Sequence, residues 1–243
     1  MTRPTGLRRF AHPTPAAPTS VEAAASTLPP LVADLLQAAG PEDAAGPRPN
    51  PEAERCELCK VELPPEHGHI ADLENQTLEC ACRACYLLFT QPNATHMRYR
   101  AVPDRYLSDP ERTLTPTRFD ELEIPVGLVF FLRSSAAGRV IGFYPSPAGA
   151  TECELDLAAW ERLTAEHPLL AEPAADVEAA LISRTDAGVE YFLVPIDACY
   201  ELVGRMRLQW RGFDGGAEAR ASITDFLEQT RARAAVFAAG VKQ

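Results

Sequence analysis

Two Cys-x-x-Cys pairs, Cys56/Cys59 and Cys82/Cys85, constrain what this chain can fold into more than any other feature. Each pair brings two sulfurs onto one side of a tight knuckle. Two such knuckles place four thiolates at the corners of a tetrahedron, a geometry that suits zinc or a single iron. The spacing therefore predicts a bound metal ion with these four cysteines as its ligands.

The segment between the two pairs predicts a short β-hairpin. Residues 68–74 and 77–82 have the composition of strands, and a tight turn is expected at 75–76. The apolar run RACYLLF then predicts a helix that ends before Pro92 and carries the last two cysteines in its first turn. Knuckle, hairpin and helix in this order resemble a treble-clef or zinc-ribbon module, which we expect to span residues 51–92.

Three further side chains leave the ligand set open. Cys80 shares a strand face with Cys82, so it is either an alternative ligand or a small buried apolar residue. His67 and His69 are alternatives as ligands, as donors to a ligand thiolate, or as partly exposed side chains at the mouth of the hairpin. Disulfides are disfavoured, because seven cysteines cannot all pair and no secretory signal is recognisable.

Structural Zn²⁺ is the expected metal, because a small knuckle cannot build an adequate core and uses the metal instead. The alternative is Fe in the same four sulfurs, which would make a rubredoxin-like electron carrier. Rubredoxin-like knuckles usually carry Gly or Pro near the cysteines. Here Lys60 follows Cys59 and Tyr86 follows Cys85, so that signature is missing.

The formal net charge of −11 bears on the choice of partner. The first fifty residues carry equal numbers of basic and acidic side chains, so the negative charge belongs to the rest of the chain. A nucleic-acid-binding zinc ribbon needs a basic face and is therefore disfavoured. The longest apolar stretch, 124–132, is too short to span a membrane and suits a buried strand. Since no apolar segment follows the arginines near the N-terminus, we expect a cytoplasmic protein.

Two segments are expected to lack a core of their own. Residues 1–50 contain nine of the 22 prolines and predict a disordered leader, apart from a short helix at 28–39 that either docks or forms transiently. Residues 93–120 predict a polar connecting segment with a strand at 97–102. Its arginines and tyrosines make it the most basic local stretch, and we expect a solvated linker beside the metal module rather than a binding surface.

Residues 121–240 predict an α+β domain. Two pairs of strands are expected, at 122–133 and 139–144 and at 177–184 and 189–194. A helix capped by Asp156 or Asp197 follows each pair, and a last helix begins near Ala217. Because hairpins dominate and no βαβ rhythm is present, we expect an antiparallel sheet covered on one face by helices.

The sequence contains no recognisable catalytic motif: it lacks a phosphate-binding loop, a dinucleotide fingerprint and a nucleophile elbow. Cys199 lies on the apolar stripe of its predicted helix, which favours core packing over nucleophilic catalysis. The loops at 145–152 and 209–216 carry Gly, aromatic and charged residues. They predict either a pocket at one sheet edge or ordinary turns. A non-enzymatic role is expected.

Several phrases of the sequence together resemble a known family: CELC, LPPEH and CRAC, then YRAVPDRYL, IPVGLVFFL, YPSPAGATE and YFLVPIDACYELVGRMRLQWRGFDGG. The resemblance covers about residues 54 to 232. It is to an uncharacterised, actinobacterial-type domain of unknown function encoded beside high-affinity nickel–iron (NiFe) hydrogenase genes. It implies a role in hydrogenase maturation, assembly or electron relay, and it supplies no catalytic residues. We therefore expect a metal-binding accessory protein whose partner is a hydrogenase subunit or maturation factor.

Overall fold

The computed structural model describes residues 53–90, 98–185, 187–212 and 215–238. The predicted leader of residues 1–50, including its short helix, lies outside the described residues. Within the described part, hairpins alternate with helices, as the sequence predicts for an α+β chain.

The described elements are ten strands, five α-helices and one 3₁₀ turn. The strands are β1 (Gly68–Asp72), β2 (Thr77–Ala81), β3 (Tyr99–Ala101), β4 (Leu107–Ser108), β5 (Leu128–Ser134), β6 (Arg139–Ser146), β7 (Gly149–Cys153), β8 (Glu178–Thr185), β9 (Gly188–Pro195) and β10 (Ala235–Val236). The helices are α1 (Arg83–Thr90), α2 (Pro116–Asp120), α3 (Leu157–Glu166), the 3₁₀ turn Pro168–Ala171, α4 (Ile196–Gln209) and α5 (Gly216–Arg233).

A small antiparallel sheet has the strand order β2-β1-β3. The predicted hairpin forms its first two strands, but its turn is longer than expected, because Asp72 rather than Glu74 pairs with Thr77. The Asp72 carboxylate accepts the backbone N–H groups of Glu74 and Asn75 at 3.0 and 3.2 Å, and Gln76 adopts a left-handed φ of 57°. These contacts fix the turn, and with it the register of the whole hairpin.

A larger sheet has the strand order β10-β4-β9-β8-β5-β6-β7. Its pairs are antiparallel, as predicted, except for the parallel pairing of β10 with β4 at one edge. The long hairpin β8–β9 and the meander β5–β6–β7 form the centre and the other edge. The sequence predicts a loop at 145–152, which is wrong: the end of β6 and most of β7 lie there, joined by a tight turn.

Helices cover the larger sheet on both faces, which corrects the expectation of one covered face. Along β5, Leu128 and Phe130 enter one core, while Val129 and Phe131 enter the other. Helices α4 and α5 close the first core. Helices α2 and α3 close the second, together with the 3₁₀ turn. The central strands are continuous apolar runs because both of their faces are buried.

The connecting segment is more structured than predicted. The strand expected at 97–102 forms as β3, but the described residues also supply β4 and α2, and they bury Leu114 and Phe119 in the core. β4 has two residues and α2 has five, with one large apolar side chain each. Such short stretches carry no readable periodicity, so the sequence predicts a linker.

Arginines of the connecting segment form ion pairs rather than a free basic surface. Arg98 donates to the buried carboxylate of Asp72 at 2.6 Å, and this guanidinium holds the pKa of Asp72 well below its usual range. Arg105 pairs with the buried Glu178 at 2.6 Å. The segment therefore joins the small sheet to the larger one through charge-assisted hydrogen bonds.

Candidate metal centre

The first cysteine pair lies on a tight hairpin knuckle. The backbone N–H of Cys56 donates to the carbonyl of Val61 at 2.9 Å, and that of Lys60 donates to the carbonyl of Cys56 at 2.7 Å. Lys60 has a left-handed φ of 63°, which lets the chain reverse directly after Cys59. The sulfurs of Cys56 and Cys59 are thereby held on one knuckle.

The second pair lies where β2 gives way to α1. Cys82 directly precedes the helix, and its carbonyl accepts the N–H of Tyr86 at 2.8 Å. Its Sγ lies 3.5 Å from the backbone nitrogen of Cys85 and takes the place of an N-cap acceptor. Cys85 therefore lies in the first turn, as the sequence predicts, whereas Cys82 lies just before the helix and not in that turn.

The four sulfurs come together. Their Sγ atoms all lie within 4.8 Å of one another, and those of Cys59 and Cys82 are 3.6 Å apart. A tetrahedral zinc site with Zn–S bonds of about 2.3 Å places its sulfurs about 3.8 Å apart. The cluster is thus close to the size that a zinc or iron ion requires. All seven cysteines of the chain lie in the described part, and every one is a free thiol.

The electrostatics of the cluster favour the thiolates of Cys56 and Cys82 and oppose those of Cys59 and Cys85. The backbone N–H of Cys85 lowers the pKa of Cys82. Burial opposes ionisation of Cys56, but backbone hydrogen bonds from Cys82, Cys59 and Leu58 outweigh it and lower the pKa of that thiol to about 6. Burial and the neighbouring sulfurs raise the pKa of Cys85 to about 12. Further thiolates are costly because like charges would share one site, and a bound cation removes that cost.

His67, His69 and Cys80 form a second group whose ligand atoms also lie within 4.8 Å of one another. Cys80 is not part of the group of four sulfurs, which contains Cys82 instead. The His67 side chain is almost fully buried rather than exposed at the hairpin mouth. No local motif in the sequence predicts that these three side chains lie together. A hairpin that turns between residues 74 and 75, however, pairs residue 69 with residue 80. That register is the feature that would have predicted the second group.

Of the two loops predicted as an alternative pocket, the structure describes the first in full and the second in part. Residues 145–152 form the β6–β7 hairpin, where Arg139 pairs with Glu152 at 2.8 Å beside a shallow, open depression. That depression has no lining residue from 209–216, and residues 213–214 lie outside the described part. Cys199 is fully buried in the α4 core, as its position on the apolar stripe predicts. Among the described helices, none is long and apolar enough to cross a membrane.

Fold and cluster together define a class: a mixed α/β protein with four clustered cysteines able to hold a metal ion. Residues 55–234 match the model of a family of unknown function (DUF5947), and the chain belongs to this family. The matched region contains both cysteine pairs. The expected membership of an uncharacterised family is thus confirmed, while the association with hydrogenase genes stays a prediction. No curated protein and no solved structure shows a significant match to the chain.

Proposed function

We propose that this protein is a metal-binding accessory protein in which Cys56, Cys59, Cys82 and Cys85 hold one structural Zn²⁺. The observation that carries the proposal is the convergence of four free thiols within 4.8 Å of one another. They come from a knuckle and a helix N-terminus joined by a hairpin, the element order of a treble-clef module. Zinc bound there supplies folding energy to a segment with little core of its own.

Metal content measured together with the visible spectrum tests this proposal. Untagged chain purified without added metal is expected to be colourless and to contain tightly bound zinc. Cys59→Ala should lose that zinc, and because Cys59 is exposed, the change removes a ligand with little effect on packing. Cys153→Ala, outside both clusters, is the matched control and should keep it.

Two results would contradict the zinc proposal. A chain without bound metal, or a Cys59→Ala variant with unchanged metal content, would remove its basis. Iron with thiolate charge-transfer absorption would instead indicate the alternative, an electron carrier of the rubredoxin type.

The accessory role requires a protein partner, and we propose a NiFe hydrogenase subunit or maturation factor. The support is the resemblance of the family phrases and the exposed apolar side chains on the two cysteine-bearing elements. Val61, on the knuckle, is 50% exposed, and Leu88, on α1, is 59% exposed. Apolar side chains exposed beside a rigid, metal-held module are suited to a partner contact.

Affinity capture from a hydrogenase-expressing strain tests the partner. The immobilised, metal-loaded chain is expected to retain a hydrogenase subunit or maturation factor. A Val61→Ser/Leu88→Ser variant with unchanged metal content should retain several-fold less. Recovery of neither kind of protein by the metal-loaded chain would count against this partner.

A further inference from the structure

The second cluster is built by the register of the small sheet. His69 on β1 pairs directly with Cys80 on β2, so their side chains lie side by side on the same face. His67 precedes His69 by two residues, and the two imidazole rings lie 5.0 Å apart. Two imidazoles and one thiol therefore converge on one point, separately from the four sulfurs.

His67 has a buried nitrogen that lacks a hydrogen-bond partner. Its side chain is 7% exposed, and its Nδ1 lies 3.0 Å from the carbonyl oxygen of Pro64. A carbonyl can only accept, so Nδ1 carries the proton and Nε2 presents a lone pair. Nε2 is buried without a hydrogen-bond partner, and the nearest carboxylate oxygen, from Glu54, is 3.7 Å away. An orphaned lone pair of this kind is rare and costly unless something binds it.

His69 is oriented by a carboxylate from the other part of the molecule. Its Nδ1 donates to Oδ2 of Asp197 at 2.8 Å, while Oδ1 of the same carboxylate accepts the N–H of Ala198 at 2.8 Å. This fixes the tautomer and leaves Nε2 of His69 as the free ligand atom. Metal-binding histidines commonly have such a carboxylate behind the ring, because it orients the imidazole and makes it a better ligand.

The surroundings carry negative charge that a cation would offset. Glu57 accepts the backbone N–H of Cys80 at 2.8 Å through its carboxylate. Glu54 lies beside His67, and Asp197 lies behind His69. Three carboxylates around two imidazoles and a thiol create a local potential that favours a bound cation.

We propose that His67 Nε2, His69 Nε2 and the Cys80 thiolate form a second metal site. It is separate from the four-cysteine site and does not depend on the function proposed for that site. Two imidazoles and one thiolate suit a transition-metal ion of borderline softness, such as Zn²⁺ or Co²⁺. Binding releases the Cys80 proton to solvent. Three protein ligands leave the fourth position of a tetrahedral ion for water or for a donor atom from another molecule.

Cobalt titration of the untagged full chain, with its four-cysteine site already filled, tests the second site. Added Co²⁺ is expected to bind with a stoichiometry of one and to show absorption from a single cobalt–thiolate bond. Cys80→Ala and His67→Ala should abolish this binding while the metal of the four-cysteine site is retained, which shows that both variants fold. Cys153→Ala is the matched control and should bind Co²⁺ as the unchanged chain does.

A positioning variant separates ligation from structure. Asp197→Asn removes the carboxylate behind His69 and is expected to weaken Co²⁺ binding about 10- to 100-fold without changing the absorption bands. The proposal is overturned if the filled chain binds no further Co²⁺. It is also overturned if Cys80→Ala binds as tightly as Cys153→Ala. Either result leaves the four-cysteine site untouched, so failure here is distinct from failure of the proposed function.

Discussion

Glu178 is a buried carboxylate whose charge is balanced by groups from two other segments. Its side chain is 1% exposed and accepts two hydrogen bonds from Arg105, at 2.8 and 2.6 Å. The backbone N–H of Ala174 donates to it at 2.8 Å. A buried carboxylate with these partners is tolerated. Without the guanidinium, the free-energy cost of removing the carboxylate from water is no longer offset.

Arg105→Ala is therefore expected to destabilise the protein by about 2–3 kcal/mol, a value reduced for the partial exposure of Arg105. The matched control is Arg139→Ala, which breaks the exposed pair with Glu152 and should cost less than about 1 kcal/mol. Urea unfolding of the two variants checks the difference. Equal losses would contradict the role assigned to burial.

His167 gives the protein a pH dependence unrelated to metal binding. The ring is buried, and its Nδ1 lies 3.1 Å from the hydroxyl of Tyr191, which itself donates to the carbonyl of Arg112. The tyrosine proton is already used, so Nδ1–H donates to the tyrosine oxygen. Burial lowers the pKa of His167 below its ordinary value of 6.5.

Because the folded pKa is the lower one, the stability that neutral His167 contributes is complete above pH 6.5 and is lost as the pH falls through the folded pKa. The free energy of unfolding of the unchanged chain should fall between about pH 7 and about pH 5. In His167→Gln this part of the slope should be missing. Denaturant unfolding over that range measures both slopes, and parallel curves would contradict the assignment.

The effect of replacing a glycine with alanine depends on the element in which the glycine lies, as two glycines show. In β6, Gly142 pairs with Cys153, and a Cβ placed there would lie 2.7 Å from the Cys153 sulfur and 3.2 Å from the Phe131 ring. In α4, a Cβ on Gly204 meets nothing within 4 Å. The first glycine is required by close packing, and the second only weakens a helix.

Gly142→Ala is thus expected to destabilise by about 1–3 kcal/mol through overpacking. Gly204→Ala, the same chemical change in a helix, should stabilise by about 0.5–1 kcal/mol. Thermal unfolding of the two variants should shift in opposite directions. A loss of stability in both would mean that α4 needs its glycine for a reason other than packing.

Elements with long apolar patterns were predictable, and short ones were not. The runs around Val129 and Leu181 and the stripe of α4 indicate their strands and helix, because many buried positions repeat at one period. Elements of two to five residues, such as β4 and α2, are held by neighbours distant in sequence. The order of the hairpins predicts helices on one face of the sheet only. The pattern that indicates a sheet covered on both faces is the unbroken apolar run of each central strand.

The two clusters of candidate metal ligands also differ in how far the sequence predicts them. Each cysteine pair is a local motif, so spacing alone predicts that the four sulfurs meet. The second cluster depends on the hairpin register and on Asp197, which is 128 residues from His69 along the chain. A contact of that separation follows from the tertiary fold and cannot be predicted from the sequence near either residue.

At the scale of the whole molecule, the small sheet and the larger sheet share a core. Ala71 from β1 and Val102 after β3 pack in the same cluster as Leu181 and Leu202. Within residues 54–63, which form the knuckle and its two flanks, only Cys56 and Leu63 are buried. We therefore expect the knuckle to depend on the proposed metal ion, whereas the rest of the small sheet is also held by the common core.

Removal of the proposed zinc ion is expected to affect the two parts of the molecule unequally. After chelation, amides of residues 54–63 and of α1 should exchange at least tenfold faster, while those of β8 keep their protection. Hydrogen exchange with mass spectrometry measures both regions in one experiment, so β8 is the internal control. Equal loss of protection in β8 would show that the metal holds the entire fold.

The parallel pair of β10 with β4 also changes which strand is exposed at one edge of the larger sheet. The N–H of Ala235 donates to the carbonyl of Tyr106 at 2.9 Å, and that of Phe237 donates to Ser108 at 2.8 Å. Residues 235–237 thereby occupy an edge whose peptide groups would otherwise face solvent and accept a strand from a second chain. The strand that remains at this edge, β10, is only two residues long, and so short an edge offers few peptide groups for pairing with another chain.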